Sequence, residues 1–282
     1  MTNTIKISKY QALGNDYLVI DPNRNKTQLV GKKIATLCRR SFGIGADGVL
    51  YGPIMKDGKM FVHIYNPDGS ETEASGNGIR IFAKYLVDHE YIKEKKFTIY
   101  TENGSVAVEM LNERGTEFKV NMGKATFAAS EIPVAGDERE VINEPFLFND
   151  QLYNATCTSV GNPHCVILME KVTKELAKEI GPYVENNPAF QNRMNLQLLK
   201  IVDRKNIQIE IYERGAGYTL ASGTGSCAAM AVAHRLGLVD DKVNVNQPGG
   251  TNEVDMDPDG TMHMIGTVGF VADMSLAEDF LS

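Results

Sequence analysis

The chain has 282 residues, 43% hydrophobic and 23% charged, which is the make-up of a soluble globular protein with one large domain or two smaller ones. A formal net charge of −7 excludes a dominant attraction to phosphate backbones or anionic lipid, so neither nucleic acid nor a membrane is an expected partner. No apolar stretch approaches the roughly 20 residues needed to span a bilayer. Met1 to Tyr10 also lacks a signal-peptide pattern, so a cytoplasmic location is expected. Cys38, Cys157, Cys165 and Cys227 are irregularly spaced with no CxxC pair, which predicts buried, reduced thiols and no metal site.

Taken in chain order, Lys6 to Leu13, Tyr17 to Asp21, Gly48 to Ile54 and Met60 to Tyr65 read as strands, with a helix at Lys32 to Arg40. The turn cluster Asn66-Pro67-Asp68-Gly69-Ser70 precedes Ser75-Gly76-Asn77-Gly78. Ile79, Phe82, Ala83, Leu86 and Val87 then mark an amphipathic helix. Strands are predicted at Phe97 to Thr101, Ser105 to Met110 and Phe118 to Met122. His89, Glu90, Lys93 and Glu94 read as solvated surface.

The second half repeats this order. Strands are predicted at Gln151 to Ser159, Cys165 to Met169, Asn195 to Asp203 and Ile207 to Glu213, with a helix at Thr173 to Glu185. Ser222-Gly223-Thr224-Gly225 opens a last helix, whose run from Ser226 to Ala233 has no polar stripe and should be buried on most sides. Strand patterning lapses between Gly123 and Pro133. The domains are therefore set at 1–122 and 123–267, with 268–282 returning to the first.

Ala74-Ser75-Gly76-Asn77-Gly78 matches Ala221-Ser222-Gly223-Thr224-Gly225 at an offset of 147 residues, close to half the chain. Such a long repeat predicts two duplicated domains facing each other, with the candidate site in the cleft between them. A helix start offers unpaired N–H groups and a partial positive charge, so two of them could hold a carboxylate. A serine ahead of each glycine pair also serves as a plain N-cap.

Gly43-Ile44-Gly45-Ala46-Asp47-Gly48 satisfies G-x-G-x-x-G, but it follows a helix and enters a strand, the reverse of a dinucleotide site. A glycine-rich turn lining a site is expected instead. His164 sits between strand segments, and Glu213-Arg214 ends a strand just upstream of Ser222, so the second glycine loop can fold back over that pair.

Together these motifs resemble diaminopimelate epimerase. The resemblance rests on Leu13-Gly14-Asn15-Asp16, the Gly43 to Gly48 turn, Asn66 to Glu71, Ser75 to Gly78, Gly161-Asn162-Pro163-His164, Arg193-Met194-Asn195, Glu213-Arg214-Gly215 and Ser222 to Gly225. It implies an α/β (α+β) fold of two pseudo-symmetric domains, each a mixed sheet or barrel wrapped around a central helix. It also implies an isomerase of lysine and cell-wall precursor synthesis that needs neither pyridoxal phosphate nor metal and that often forms a homodimer. Two cysteines invert an amino acid Cα in that family, and the resemblance places them at positions 75 and 222.

Both positions are serine here. A thiol, with a pKa of about 8.5, can be tuned towards neutrality, whereas a hydroxyl is a far weaker acid, so little or no epimerase activity is expected. The near-isosteric change at both catalytic positions, with the rest intact, fits an enzyme disarmed to hold its substrate. The alternative is a member that has lost catalysis, binds ligand only, or activates serine by other means.

The resemblance further implies pKa modulation by His164 and Glu213 and a contact from Asn15. Asn66, Asn195 and Arg214 would hold a distal carboxylate, Asn162 and Glu213 a distal amine, and Gly76, Asn77, Gly223 and Thr224 the reacting carboxylate. Gly48 stands where some members carry a glutamine. Racemisation of another amino acid such as histidine is the competing substrate reading.

Overall fold

The computed structural model describes residues 4–25, 31–71, 75–102 and 104–281. The chain divides into two compact units, Met1–Val120 with Gly266–Ser282, and Asn121–Ile265. The division falls inside the strand Glu117–Lys124, a few residues before the stretch where strand patterning lapses. Among the described residues no helix is long and apolar enough to cross a membrane.

In the first unit, β1 (Lys6–Ala12) and β2 (Asn15–Ile20) form a hairpin, and α1 (Lys32–Cys38) carries the chain to β3 (Gly48–Lys56), parallel to β2. β4 (Lys59–Tyr65) returns antiparallel to β3, and α2 (Gly76–Asp88) leads to β5 (Lys96–Thr101), parallel to β4. β6 (Gly104–Met110) and β7 (Glu117–Lys124) then follow as antiparallel neighbours.

The second unit repeats this path. It begins with an added edge strand, β8 (Glu144–Phe148), which pairs with β9 (Gln151–Ser159). β9 and β10 (Pro163–Leu168) form the hairpin, and α3 (Lys174–Glu185) leads to β11 (Asn195–Asp203), parallel to β10. β12 (Asn206–Glu213) and the short β13 (Gly217–Thr219) follow, and α4 (Gly223–Arg235) leads to β14 (Lys242–Gln247), parallel to β12. β15 (Gly250–Met256) and β16 (Thr261–Thr267) complete the sheet. After them come β17 (Gly269–Ser275), antiparallel to β1 in the first unit, and α5 (Glu278–Leu281). In each unit a parallel pair is bridged by a helix twice, as parallel pairing requires.

α4 touches β9, β10, β11, β12, β14 and β15, so its sheet curls around it. Every residue from Gly223 to Ala233 is buried, and the small Ala228, Ala229, Ala231 and Ala233 let strands approach from all sides. α2 departs from the amphipathic expectation. It is buried from Gly76 to Leu86, including the fully enclosed Arg80, which donates to Asn77, and Lys84, which pairs with Asp88. The polar face is there, but Lys84 meets an opposite charge and Arg80 a carboxamide within the protein.

All four cysteines are buried and none forms a disulfide. Burial pushes the Cys38 thiol up to about 11, and its hydrogen bond with Cys165 together with burial holds Cys157 well above the ordinary range. His89 corrects the surface reading: it caps α2 against the Tyr85 ring at 4.2 Å, and burial and Arg24 lower its pKa. Neither β8, β13 nor the four strands after α4 is among the predicted elements. β8 contains Pro145, which suits an edge strand and hides it from a periodicity reading.

Candidate active site

Ser75 is the N-cap of α2, in extended conformation, with its Oγ accepting from the Gly78 N–H at 3.0 Å. Ala74, the residue before it in the repeat, lies outside the described residues. The Tyr17 hydroxyl on β2 comes within 3.1 Å of the same Oγ. Tyr17 pairs in register with Gly48, where a Cβ would lie 2.5 Å from the Tyr17 ring and 2.6 Å from the Tyr65 carbonyl oxygen. Glycine at 48 therefore makes room for the ring that reaches Ser75.

Asn77 is buried, accepts from Arg80 at 2.6 Å and donates to Asn15 Oδ1 at 3.1 Å. Asn15 in turn donates to Asp47 Oδ2 at 3.0 Å, so the Gly43 to Gly48 turn supports the α2 end of this unit. That turn follows α1 and enters β3, the order that excludes a dinucleotide fingerprint. Arg40 bridges Asp16 at 2.8 Å and Asp47 at 2.9 Å. Burial alone would raise the Asp16 carboxyl, but hydrogen bonds from Arg40 and Lys9 outweigh it and hold it below the usual range. Asp47 goes the other way, raised by burial and by the charge of Asp16. Asn66 heads a turn, with its Nδ2 donating to Ser70 Oγ at 3.1 Å.

Ser222 repeats Ser75. It caps α4 in extended conformation and its Oγ accepts from the Gly225 N–H at 3.1 Å, while its own N–H donates to Gln247 Oε1 at 2.8 Å. Neither α2 nor α4 has an acidic residue in its first turn. The N–H groups of Gly76 and Asn77, and of Gly223 and Thr224, lie before the i−4 ladder begins and can take an anion.

His164 stands beside Asn195 in the parallel β10–β11 register. Its ring is fully buried, with Nδ1 at 2.9 Å from Gln197 Oε1 and Nε2 at 2.8 Å from Asn162 Oδ1. Burial lowers its pKa to about 4, and the Arg214 charge acts in the same direction. Asn195 donates to the Pro163 carbonyl at 2.7 Å and accepts from the Arg214 N–H at 3.0 Å. The Arg214 guanidinium bonds the Asn192 carbonyl at 2.9 Å, and Glu213 precedes it at the end of β12.

The second unit thus gathers Asn162, His164, Asn195 and Arg214 at one end of the β10–β11 pair. Gln197 ties that group to the start of α4: its Nε2 lies 3.0 Å from where a Cβ on Gly225 would stand. In the first unit Asn15, Asn77 and Ser75 meet at the start of α2, with Asn66 in the preceding loop.

The sequence reading missed Tyr17, Gln197 and Gln247. Two of them had a signal: Tyr17 and Gln197 lie two residues beyond Asn15 and Asn195, and alternation puts i and i+2 on one face of a strand. Among the described residues His63, Glu71 and Glu102 could group around a metal ion. There His63 Nδ1 is already engaged by Glu71 at 2.7 Å, and none of the candidate catalytic residues takes part.

Solved structures of similar fold include a hydroxyproline epimerase from Agrobacterium vitis, with TM-score 0.73 at 12% identity, covering 99% of this chain and 94% of that one. A phenazine biosynthesis protein of the PhzF family from Bacillus anthracis gives TM-score 0.70 at 16% identity, covering 98% of this chain and 100% of that one. The chain therefore has the two-domain α+β fold found in these epimerase and PhzF-type structures.

Sequence narrows the class. The family model described as diaminopimelate epimerase matches residues 7–128 and 156–271. Diaminopimelate epimerase 2 of Nostoc sp. (strain PCC 7120) is 46% identical over 279 residues, covering 99% of this chain and 98% of the relative. The diaminopimelate epimerase of Methanothermobacter thermautotrophicus is 36% identical over 284 residues, covering 98% and 99%. The chain belongs to the diaminopimelate epimerase family.

Proposed function

We propose that this chain carries a diaminopimelate epimerase site that binds LL- and meso-diaminopimelate, with inversion disabled by serine at positions 75 and 222. The observation that carries this reading is the matched pair of serine N-caps, each heading a 13-residue helix with no acidic residue in its first turn.

Inversion at Cα needs a base that removes the proton and an acid that returns one on the opposite face. Thiols at 75 and 222 would supply both, because a thiolate is accessible near neutral pH. A hydroxyl is not deprotonated there, so neither step proceeds. Gly76, Asn77, Gly223 and Thr224 hold the carboxylate on the reacting carbon through backbone N–H groups. Asn66, Asn195 and Arg214 receive the distal carboxylate, which a guanidinium can grip through two parallel hydrogen bonds. Asn162 and Glu213 face the distal amine. Asn15 supports the first group through its bond with Asn77. His164 and Glu213 tune the acidity of the groups at 75 and 222. No cofactor or metal enters this scheme.

Restoring Ser75→Cys and Ser222→Cys together tests the reading. Solvent deuterium should then enter Cα of diaminopimelate, and the LL and meso forms should interconvert. Background exchange with every candidate amino acid would leave a ligand-binding protein instead. Calorimetric titration of the present chain should show diaminopimelate binding more tightly than histidine, and the reverse order would favour a histidine racemase scaffold.

A further inference from the structure

His164 is fully buried, so the hydrogen-bonding needs of its two ring nitrogens must be met from within the protein. Each nitrogen faces a carboxamide, Gln197 at Nδ1 and Asn162 at Nε2. With amide oxygens towards both, the ring would need two N–H groups, which only the imidazolium has. The buried site and the Arg214 charge disfavour that cation. A neutral ring carries one N–H, so one carboxamide must present its NH2 group.

Two observations identify which one. With its oxygen towards His164, Gln197 keeps Nε2 buried with no acceptor, whereas no side-chain atom of Asn162 is among the buried unpartnered atoms of the described residues. A buried N–H with no acceptor is costly, and an oxygen in the same place is better held only where positive charge faces it. That same Nε2 packs against Gly225, the third residue of α4, where the helix start presents partial positive charge. An oxygen is favoured in that place and an N–H donor is not.

We propose that Gln197 is a positioning residue that turns its NH2 towards His164 Nδ1 and its oxygen towards the start of α4, fixing His164 as the neutral Nε2–H tautomer. The ring then donates from Nε2 on the Asn162 side and cannot accept a proton there. In the reaction, His164 acts as a neutral hydrogen-bond donor and not as a base. That last role rests on the epimerase reading above, but the tautomer does not.

Long-range ¹H–¹⁵N correlation spectra of the ¹⁵N-labelled chain at pH 7 test the assignment, with the His164 signals identified by their loss in His164→Asn. The expected pattern is a protonated, pyrrole-type Nε2 and an unprotonated, pyridine-type Nδ1. The reversed pattern, or two pyrrole-type nitrogens, overturns the proposal.

Gln197→Glu, whose carboxylate only accepts, should move the proton to Nδ1 or charge the ring. Gln197→Met should leave the two tautomers mixed. An unchanged Nε2–H ring in either variant, with the amide spectrum otherwise preserved, would remove Gln197 from the role. If Gln197→Glu fails to fold, the spectrum of the unsubstituted chain still decides the tautomer. In the double-cysteine background Gln197→Glu should lower kcat at least tenfold with a smaller change in KM and a displaced pH profile. An Nε2–H ring in a chain whose double reversion gives no exchange would keep this inference and end the epimerase reading.

Discussion

The Tyr17 hydroxyl lies 3.1 Å from Ser75 Oγ, an oxygen that also accepts the Gly78 N–H. In Ser75→Cys the same hydroxyl can donate to the thiolate. A hydrogen bond to a charged group contributes about 1.5–3 kcal/mol, equivalent to roughly one or two pKa units. Tyr17→Phe in the Ser75→Cys background should therefore raise the pKa of the introduced thiol by that amount, read from the pH dependence of its alkylation rate. An unmoved profile would show that the tyrosine does not tune this position.

The two serines also hold their helices. Ser75→Ala and Ser222→Ala each remove a side-chain acceptor from a first-turn N–H and should cost about 1 kcal/mol. Urea denaturation is the measurement, and glycine at the same positions should cost less than alanine.

Arg214 should discriminate between one and two carboxylates. Arg214→Met should weaken diaminopimelate binding by about ten- to a hundredfold, the loss of a charge-assisted pair of roughly 1.5–3 kcal/mol. Binding of an amino acid with a single carboxylate should change little. Paired calorimetric titrations make the comparison, and equal losses for both ligands would argue against the assignment.

Acid stability should depend on Asp16. Its carboxyl is held low in the folded chain, so its contribution is present above the unfolded value of about 3.9 and is lost as the pH falls through the lower folded value. Asp16→Asn should therefore be less stable at pH 7, and the gap from the parent chain should narrow below about pH 4. Asp47, shifted upward, has the opposite sign and gains as the pH falls. Unfolding series at several pH values separate the two.

Gly48→Ala should destabilise the first unit by about 1–3 kcal/mol, because its Cβ would meet the Tyr17 ring and the Tyr65 carbonyl. The same crowding means that a glutamine at 48 cannot be added without moving Tyr17.

Much of this arrangement is legible in the chain itself. The strands from Lys6 to Met122 and the repeated Ser-Gly-x-Gly follow from alternation and from the few residues that cap helices well. The Ala-rich stretch of α4 announces its own burial. What is hidden depends on partners far along the sequence. Arg80 and Lys84 look like a solvent face, and only the Arg80 hydrogen bond to Asn77 and the Lys84 ion pair with Asp88 explain how they are held inside the unit. Gln197 becomes informative only beside His164, 33 residues away. Asn66 and Glu213 show the opposite limit, since motif order singles them out where alternation and helical spacing give no reason to.

The serine caps have a last consequence. One oxygen at the head of each helix caps the backbone ladder, and under the proposed function it also occupies the place where chemistry would begin. Any atom installed there must divide its electron pairs between anchoring the peptide chain and attacking a proton. Sulfur, a poor anchor whose anion forms near neutral pH, tips that division towards reactivity; oxygen tips it towards architecture.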